Sequence, residues 1–550
     1  MERIRDVEAL ALNRRAARSA RGLACATALV ALFGFMQVAG AGEPERVDID
    51  TGSLQGATAE GVVSFKGIPL AQPPVGNLRW RPPQPVAHWS GVRPAVHYGP
   101  DCAQEPFPGD AAPLGVKPDE DCLYLNVWAP AKHGAAKLPV MVWIYGGGFV
   151  NGGSSPPVYD GTQFAKDGVV LVSFNYRLGH FGFFAHPALS AEQPAGPLGN
   201  YGLMDQLAAL EWVQRNVAAF GGDPKNVTIF GESAGGMSVH AMMTSPLAAG
   251  LFQKAIVQSG GGRAGVFAMR AVKGAGDSAE AKGLAFGRKY GIEGEDAAAL
   301  RKLREIPAAT IYKGLHMMTM GGDTTYSGGP MLDGQLVVGP PAELYANGMG
   351  ARVPLMIGAT SLDIGFAQGN SLDELFAGFG SQAAEARTLY GSGGTKDVRA
   401  VAFRIGGDQM MVEPVRHIAR ILSARGQPVY PFRFSYVAES LRKTVPGAPH
   451  ATDIPFVFDT VAARYGKDLT PADEAAARAA HLYWVAFAKS GVPKVNAQPA
   501  WPAYDAKTDL IMDFANSGAS VGPDPWRPRL DLAEAVSNGR EQRGANSPRP

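Results

Sequence analysis

The sequence carries almost no excess of charge, since its formal net charge is +1 and no long basic block follows the N-terminal region. Nucleic-acid binding therefore has little support. After residue 41 no segment is long and apolar enough to span a membrane, and no internal repeat is present. What remains is a chain of 550 residues with 46% apolar content, which is typical of a globular protein with a large core.

The first 41 residues have the pattern of a signal peptide. Several arginines precede an apolar segment at residues 23–38, and residues 39–41 read Ala-Gly-Ala, an A-x-A cleavage site. We predict that residues 1–41 are removed and that the mature protein is secreted or periplasmic. The alternative is an uncleaved membrane anchor, although the apolar run is short for a span and is interrupted by glycines and Gln37.

Cysteine is also scarce, with three in the chain, and Cys25 lies in the predicted signal peptide. The other two, Cys102 and Cys122, are separated by a short stretch of sequence. In an oxidising compartment such a pair suggests one disulfide, which can contribute about 3 kcal/mol to stability. Two free thiols are the alternative.

Short apolar runs alternate with helical patterns through much of the chain. Residues 138–145 and 168–176 are nearly continuous apolar runs, typical of strands buried on both faces. Residues 202–218 keep apolar side chains at helical spacing. The alternation predicts an α/β fold with a large, mostly parallel central sheet flanked by helices. We place this domain at residues 42–536 and predict a disordered polar tail at 537–550.

Residues 227–236 read VTIFGESAGG and contain a G-x-S-x-G pattern centred on Ser233. An apolar strand precedes the pattern and helix-tolerant residues follow it, which is the context that a nucleophile elbow needs. The glycines permit a tight turn that has no room for side chains. Residues 518–522 fit the same pattern, but Pro523 and Pro525 follow, so we predict a loop there and no nucleophile.

A nucleophilic serine needs a base, and the base needs an acid to orient it. In α/β-hydrolases the acid and then the histidine follow the serine along the chain. Asp363 comes after a predicted strand that ends near residue 358, and His450 lies in a loop after a later strand. His417 and His481 fall within helical patterns instead. We therefore predict Asp363 as the acid and His450 as the base.

Three glycines at residues 146–148 follow the buried strand at 138–145. Their backbone N–H groups can donate hydrogen bonds to an oxyanion. A phosphate-binding loop is a rival interpretation, but no Lys-Ser/Thr follows and G-x-G-x-x-G spacing is absent. A plain turn is the third interpretation of this run taken alone.

Together, these motifs resemble those of the type-B carboxylesterase/cholinesterase family. The resemblance covers nearly all of residues 47–514. It rests on segments that stand in the family's order: FKGIP (65–69), PPVG (73–76), EDCLYLN (120–126), YGGGF (145–149), GNYGLMDQ (199–206), FGGDP (220–224), VTIFGESAGG (227–236), QSG (258–260), and His450 before DIPFVF (453–458). So many motifs in order are far more specific than any one of them.

The resemblance implies an α/β-hydrolase fold with helical insertions around an active-site gorge, and chemistry that needs neither a metal nor an organic cofactor. The residues that it implies are Ser233 as nucleophile, His450 as base, Asp363 as acid, Gly147, Gly148 and Ala234 as oxyanion donors, Glu232 and Ser259 at supporting positions, and Cys102 paired with Cys122. The acid is usually glutamate in this family, so an aspartate requires a local loop that compensates for one missing methylene.

The implied activity is hydrolysis of a small-molecule carboxylic ester through an acyl-enzyme. Three alternatives stay open: a non-catalytic cholinesterase-like binding protein, a serine peptidase and a lipase on the same fold. Arg263 is a candidate to bind a substrate carboxylate, with a surface salt bridge as the alternative. The methionine- and glycine-rich residues 316–329 are predicted to form a mobile surface loop or a pocket wall.

Overall fold

A computed structural model describes residues 45–545, apart from 108, 133, 135–136, 271–276, 392–393 and 395. The predicted signal peptide, including Cys25, lies outside these residues. The strands are β1 (Arg46–Ile49), β2 (Gly52–Gln55), β3 (Ala57–Ala59), β4 (Val62–Pro69), β5 (Val92–Pro94), β6 (Tyr124–Pro130), β7 (Leu138–Ile144), β8 (Val170–Phe174), β9 (Gly222–Glu232), β10 (Lys254–Gln258), β11 (Phe267–Ala268), β12 (Met331–Leu332), β13 (Leu355–Thr360), β14 (Val429–Phe434), β15 (Leu510–Ala515) and β16 (Gly518–Pro523).

The helices are α1 (Thr162–Lys166), α2 (Gly179–Gly182), α3 (Pro187–Glu192), α4 (Tyr201–Asn216), α5 (Ala234–Thr244), α6 (Ala279–Lys289), α7 (Ala297–Glu305), α8 (Ala308–Tyr312), α9 (Pro341–Ala346), α10 (Leu372–Ala377), α11 (Ala383–Tyr390), α12 (Val398–Gly407), α13 (Glu413–Ala424), α14 (Ile454–Val457), α15 (Val461–Tyr465), α16 (Pro471–Ser490) and α17 (Arg527–Ala545). A π-helical segment, Asp408–Val412, joins α12 to α13. None of the described helices is both long enough and apolar enough to cross a membrane.

An eleven-stranded sheet lies at the centre, in the order β16-β15-β14-β13-β10-β9-β7-β8-β6-β4-β3. The six neighbouring pairs from β15 to β8 are parallel. The four pairs at the two ends are antiparallel. The predicted large, mostly parallel sheet is confirmed. Helices α5 and α16 both pack on β7 and β9, which explains why these strands are apolar through their central residues.

Aromatic side chains fill the core next to the centre of the sheet. The ring of Trp143 in β7 lies 4.8 Å from that of Phe230 in β9, 5.0 Å from Phe458 and 5.3 Å from Tyr159, centroid to centroid. Trp143 is fully buried. Truncating such a side chain to alanine typically costs about 3–5 kcal/mol, so this cluster stabilises the two strands between which the site is built.

Cys102 and Cys122 form a disulfide, and their Cα atoms are 4.9 Å apart. The predicted pair is confirmed. The bond closes a loop that contributes to the site described below.

The second G-x-S-x-G copy is a strand, so the prediction of a loop there was wrong. Strand β16 pairs antiparallel with β15, with Asp513 opposite Ser520. It is the edge of the sheet, and Pro523 is its last residue. Proline is tolerated at such a position because no neighbouring strand needs its missing N–H. No helix follows Ser520 directly, so Ser520 is not in a nucleophile elbow even though the segment is a strand and not a loop.

The predicted disordered tail was also wrong where the structure describes it. Helix α17 continues through residues 537–545, while residues 546–550 lie outside the described part. Ion pairs from α13 hold the helix: Arg416 bonds to Asp531, and Arg420 Nη1 lies 2.6 Å from Glu534 Oε2. Leu530 is also buried. Within the predicted tail, Asn538 Oδ1 accepts a hydrogen bond from Arg263 Nη2 at 2.7 Å.

Candidate active site

Ser233 lies at a sharp turn between β9 and α5. Its backbone adopts φ 57° and ψ −123°, a strained conformation for a residue with a side chain. The neighbouring glycines allow the turn, because a Cβ on Gly235 would lie 1.9 Å from the carbonyl oxygen of Ile144 and one on Gly231 would lie 2.6 Å from Gly235. The Ser233 N–H donates to the Gln258 carbonyl at 2.9 Å. The turn is thereby fixed between β7 and β10.

Asp363 and His450 form a short hydrogen-bonded pair. His450 Nδ1 lies 2.6 Å from Asp363 Oδ1. The buried carboxylate also accepts hydrogen bonds from Ser259 Oγ at 2.6 Å, from Thr360 N at 2.9 Å and from Ile364 N at 2.8 Å. Burial alone would raise the pKa of Asp363, but the charge of His450 and these donors outweigh it and lower the pKa. The Asp363 carboxylate is therefore held ionised against the imidazole.

The other nitrogen of the imidazole faces the elbow. His450 Nε2 lies 3.2 Å from Oε1 of Glu232, the residue before Ser233. Burial opposes a charged imidazole, but the carboxylates of Glu232 and Asp363 outweigh it and raise the pKa of His450 above its ordinary value. Burial raises the pKa of Glu232, and the nearby carboxylates of Asp453 and Asp363 reinforce that effect. Three carboxylates, those of Glu232, Asp363 and Asp453, thus surround one imidazole.

The glycine turn after β7 contacts the elbow. A Cβ on Gly146 would lie 3.0 Å from Ser233 Cβ and 2.7 Å from the Glu232 carbonyl oxygen. Gly147 and Gly148 adopt φ 99° and 63°, which favours glycine. Within the described chain, neither of their N–H groups donates to a protein acceptor. Ala234 opens α5, where backbone N–H groups lack partners within the helix.

The disulfide loop holds the chain that follows the glycine turn. Gln104 Nε2 donates to the Gly152 carbonyl at 2.6 Å, and Gly152 N donates back to Gln104 Oε1 at 2.9 Å. Asn151 Nδ2 donates to the Glu105 carbonyl at 2.8 Å. Since Gln104 follows Cys102 closely, the disulfide and the glycine turn are mechanically connected.

Part of the methionine-rich segment lies against the same turn. A Cβ on Gly148 would lie 3.0 Å from Met320 Sδ and 3.5 Å from Met317 Cγ. Met317 N donates to Asn151 Oδ1 at 2.9 Å. Met318, in contrast, is 79% exposed. Of the two interpretations offered for residues 316–329, these contacts favour a pocket wall.

Arg263 is engaged by protein groups. Its Nη1 lies 2.5 Å from Glu413 Oε1, and its Nη2 donates to Asn538 Oδ1 at 2.7 Å. The Arg263 side chain is 5% exposed. The structure therefore favours the ion-pair alternative over a substrate-binding role, but the pair is buried and does not lie on the surface.

Sequence reasoning assigned no role to Gln258 or Asp453, although both stood in the quoted motifs. Gln258 Nε2 donates to Asp453 Oδ2 at 2.6 Å, and Trp484 Nε1 donates to Gln258 Oε1 at 3.2 Å. These groups lie beneath the elbow, since the Gln258 carbonyl also accepts from Ser233 N. The signal that pointed to them was the position of Gln258 at the end of β10 and of Asp453 just after His450.

Comparison with known proteins gives a consistent result. A model of the carboxylesterase family matches residues 43–525. The chain is 35% identical over 503 residues to fumonisin B1 esterase from Sphingopyxis macrogoltabida, covering 86% of this chain and 88% of that one. It is 36% identical over 487 residues to para-nitrobenzyl esterase from Bacillus subtilis (strain 168), covering 84% and 93%.

Phenmedipham hydrolase from Pseudarthrobacter oxydans is 33% identical over 502 residues, covering 87% of this chain and 96% of that one. A solved structure of PNB esterase superposes with a TM-score of 0.75 at 33% identity and covers 89% of this chain and 99% of its own. The family match spans almost the whole described chain, and the relatives are esterases or hydrolases along nearly their full length. This chain belongs to the carboxylesterase family, has the α/β-hydrolase fold and is a carboxylesterase.

Proposed function

We propose that the enzyme hydrolyses small-molecule carboxylic esters through an acyl-enzyme formed on Ser233, with His450 as base and Asp363 as acid. The observation that carries the proposal is the hydrogen-bonded series from Ser259 through Asp363 to His450, with 2.6 Å at each step. The far nitrogen of His450 lies 3.2 Å from Glu232, the residue before the strained Ser233. A strained, glycine-flanked serine with an oriented imidazole beside its turn is the arrangement that nucleophilic catalysis requires.

In the first step Ser233 Oγ attacks the ester carbonyl while His450 Nε2 takes its proton. Asp363 stabilises the imidazolium and fixes the tautomer through Nδ1. The negative charge that develops on the carbonyl oxygen is received by the N–H groups of Gly147, Gly148 and Ala234. Each such donor is typically worth about 3–4 kcal/mol in the transition state.

The alcohol then leaves with the proton from His450. Water enters, the same imidazole removes a proton from it, and attack on the acyl carbon releases the acid and restores Ser233. Every proton in this scheme passes through His450. Glu232 acts on this histidine rather than on the substrate, because its carboxylate faces Nε2.

The named relatives act on chemically different molecules, so similarity alone does not select the substrate. Met317 and Met320 against the glycine turn favour a substrate with a flexible apolar group, since methionine side chains adapt to varied apolar shapes. We propose fumonisin B1, para-nitrobenzyl esters and phenmedipham as the first candidates to compare with simple alkyl esters. The Cys102–Cys122 disulfide supports an exported, secreted or periplasmic enzyme.

The test is hydrolysis of p-nitrophenyl esters from acetate to palmitate by the wild type and by Ser233→Ala. We expect short- or medium-chain turnover that disappears in the variant, and labelling of Ser233 by a fluorophosphonate, identified by peptide mass spectrometry. Turnover that survives the substitution would refute the proposal. Activity confined to a peptide substrate, or to emulsified long-chain esters, would instead favour the peptidase or lipase alternative. Absence of turnover by the wild type with every ester, while ligand binding is intact, would favour a binding protein.

A further inference from the structure

Three potential metal ligands converge away from the proposed triad. Glu413 and His417 lie one turn apart on α13, where side chains share a face, and Glu534 projects from α17. Each residue offers one ligand atom, and these atoms all lie within 4.8 Å of one another. The cluster therefore joins two helices that are far apart in the sequence.

One oxygen of Glu413 lacks a partner among the described residues. The residue is 1% exposed, and its Oε1 is bound by Arg263 at 2.5 Å. Its Oε2 is buried and has no hydrogen-bond donor within the described residues. Buried carboxylate oxygens are rarely left in this state because the loss of solvation is costly. The unsatisfied oxygen therefore indicates a bound group that is not part of the protein.

Glu534 and His417 lie at a separation that suits an ion better than a hydrogen bond. His417 Nδ1 is 3.7 Å from Glu534 Oε1, which is too long for a hydrogen bond. Two ligand atoms that are each about 2.1 Å from a tetrahedral ion lie about 3.4 Å apart. The second oxygen of Glu534 is bound by Arg420 at 2.6 Å, with Arg416 at 4.0 Å.

We propose that Glu413, His417 and Glu534 bind one divalent transition-metal ion, with Zn²⁺ the best match, and that the ion fastens α17 to α13. Arg263 and Arg420 already balance the two carboxylates, so there is no acidic excess to attract a hard cation. Affinity must come from direct coordination, for which an imidazole with two carboxylates suits zinc and not calcium or magnesium. A water molecule would complete the tetrahedron.

The test uses the full mature chain without a histidine tag, stripped with EDTA and dialysed. Titration calorimetry with zinc chloride should give one ion per chain, and calcium chloride should give no comparable signal. Both His417→Ala and Glu534→Gln should weaken zinc binding at least about tenfold. Exposed His88 provides the matched control, and His88→Ala should bind zinc like the wild type. Zinc should raise the melting temperature of the wild type and of His88→Ala but not that of His417→Ala.

Equal zinc affinity in His417→Ala and His88→Ala, or no zinc binding by the wild type, would overturn the assignment. Loss of binding in His450→Ala with retention in His417→Ala would place the ion at the esterase site and would also overturn it. Circular dichroism shows whether each variant is folded, and Glu534→Gln preserves side-chain shape if His417→Ala does not fold. Because Ser233→Ala should bind zinc normally, the result is independent of the proposed esterase mechanism.

Discussion

Lengthening Asp363, the proposed acid, to glutamate should damage this enzyme. The carboxylate of Asp363 accepts hydrogen bonds on both oxygens, including those from Thr360 N at 2.9 Å and Ile364 N at 2.8 Å. One added methylene moves the carboxylate about 1.5 Å from its own backbone. The two backbone donors then lose their acceptor, and each hydrogen bond to a charged group contributes about 1.5–3 kcal/mol.

The loop explains why aspartate is long enough here. Leu362 and Pro449 form a bridge between the acid loop and the histidine loop, and Leu362 N donates to the Ala448 carbonyl at 2.8 Å. This pairing brings His450 up to the shorter side chain, within 2.6 Å. A glutamate must therefore push the imidazole away from the serine or fold back on itself.

We expect Asp363→Glu to lower kcat by about 10²-fold or more, because displacing a catalytic group by about 1 Å typically costs that much. KM should change little, since the acid does not contact substrate. Asp363→Asn, which keeps the geometry but removes the charge, is the reference and should lose about 10⁴-fold. The assay is steady-state hydrolysis of the best p-nitrophenyl ester, with circular dichroism to verify folding.

If Asp363→Glu retains kcat within about threefold of wild type, the loop accommodates either acid and the reasoning is refuted. If Asp363→Asn is equally active, Asp363 is not the acid. The pH dependence of kcat/KM should also be measured for each variant. A folded variant with a displaced His450 still shows the ionisation of the imidazole in this profile, whereas an unfolded variant does not.

Three further predictions follow from the same contacts. Glu232→Gln removes a negative neighbour and should lower the pKa of His450, so the acid limb of the kcat/KM–pH profile moves to lower pH; an unchanged limb would contradict the electrostatic role. Replacing Cys102 and Cys122 together by serine should lower the free energy of unfolding by about 3 kcal/mol in urea denaturation, with wild type under reducing conditions as the control; no loss would show that the loop is held by other contacts. Gly235→Ala places a methyl against a strand carbonyl and should abolish soluble, active protein, measured by yield and esterase assay, whereas a fully active variant would refute the packing.

The local sequence pattern was sufficient to predict the structure where one short segment determines its own conformation. The Ser233 turn is such a case, because strand, glycines and helix all lie within ten or so residues. The local pattern was insufficient where the structure of a segment depends on a partner that is distant in the sequence. Strand β16 exists because β15 pairs with it, and α17 persists because Arg416 and Arg420 reach it from α13. Composition at either place gives no sign of those partners.

Arg263 illustrates the same limit for a functional prediction. Its place just after β10 suggested the pocket, but its partner Glu413 lies 150 residues further along the chain. An arginine in a glycine-rich loop has the same local sequence whether it meets a substrate or a buried carboxylate. Only the packing of α13 and α17 distinguishes the two.

The proposed site itself escaped this limit because of how the sheet is ordered. Strands β9, β10, β13 and β14 are neighbours in the central sheet in the same order in which they occur along the chain, and all are parallel. Ser233, Ser259, Asp363 and His450 each follow the carboxyl end of one of these strands in turn, so the topology delivers them to one edge. A polar residue just after a buried strand can be recognised in a sequence. When the strands are parallel and adjacent, the residues that follow them lie close together in space. The same rule predicts that residues following β7, which pairs with β9 on its other side, also reach this edge, and the glycine turn does.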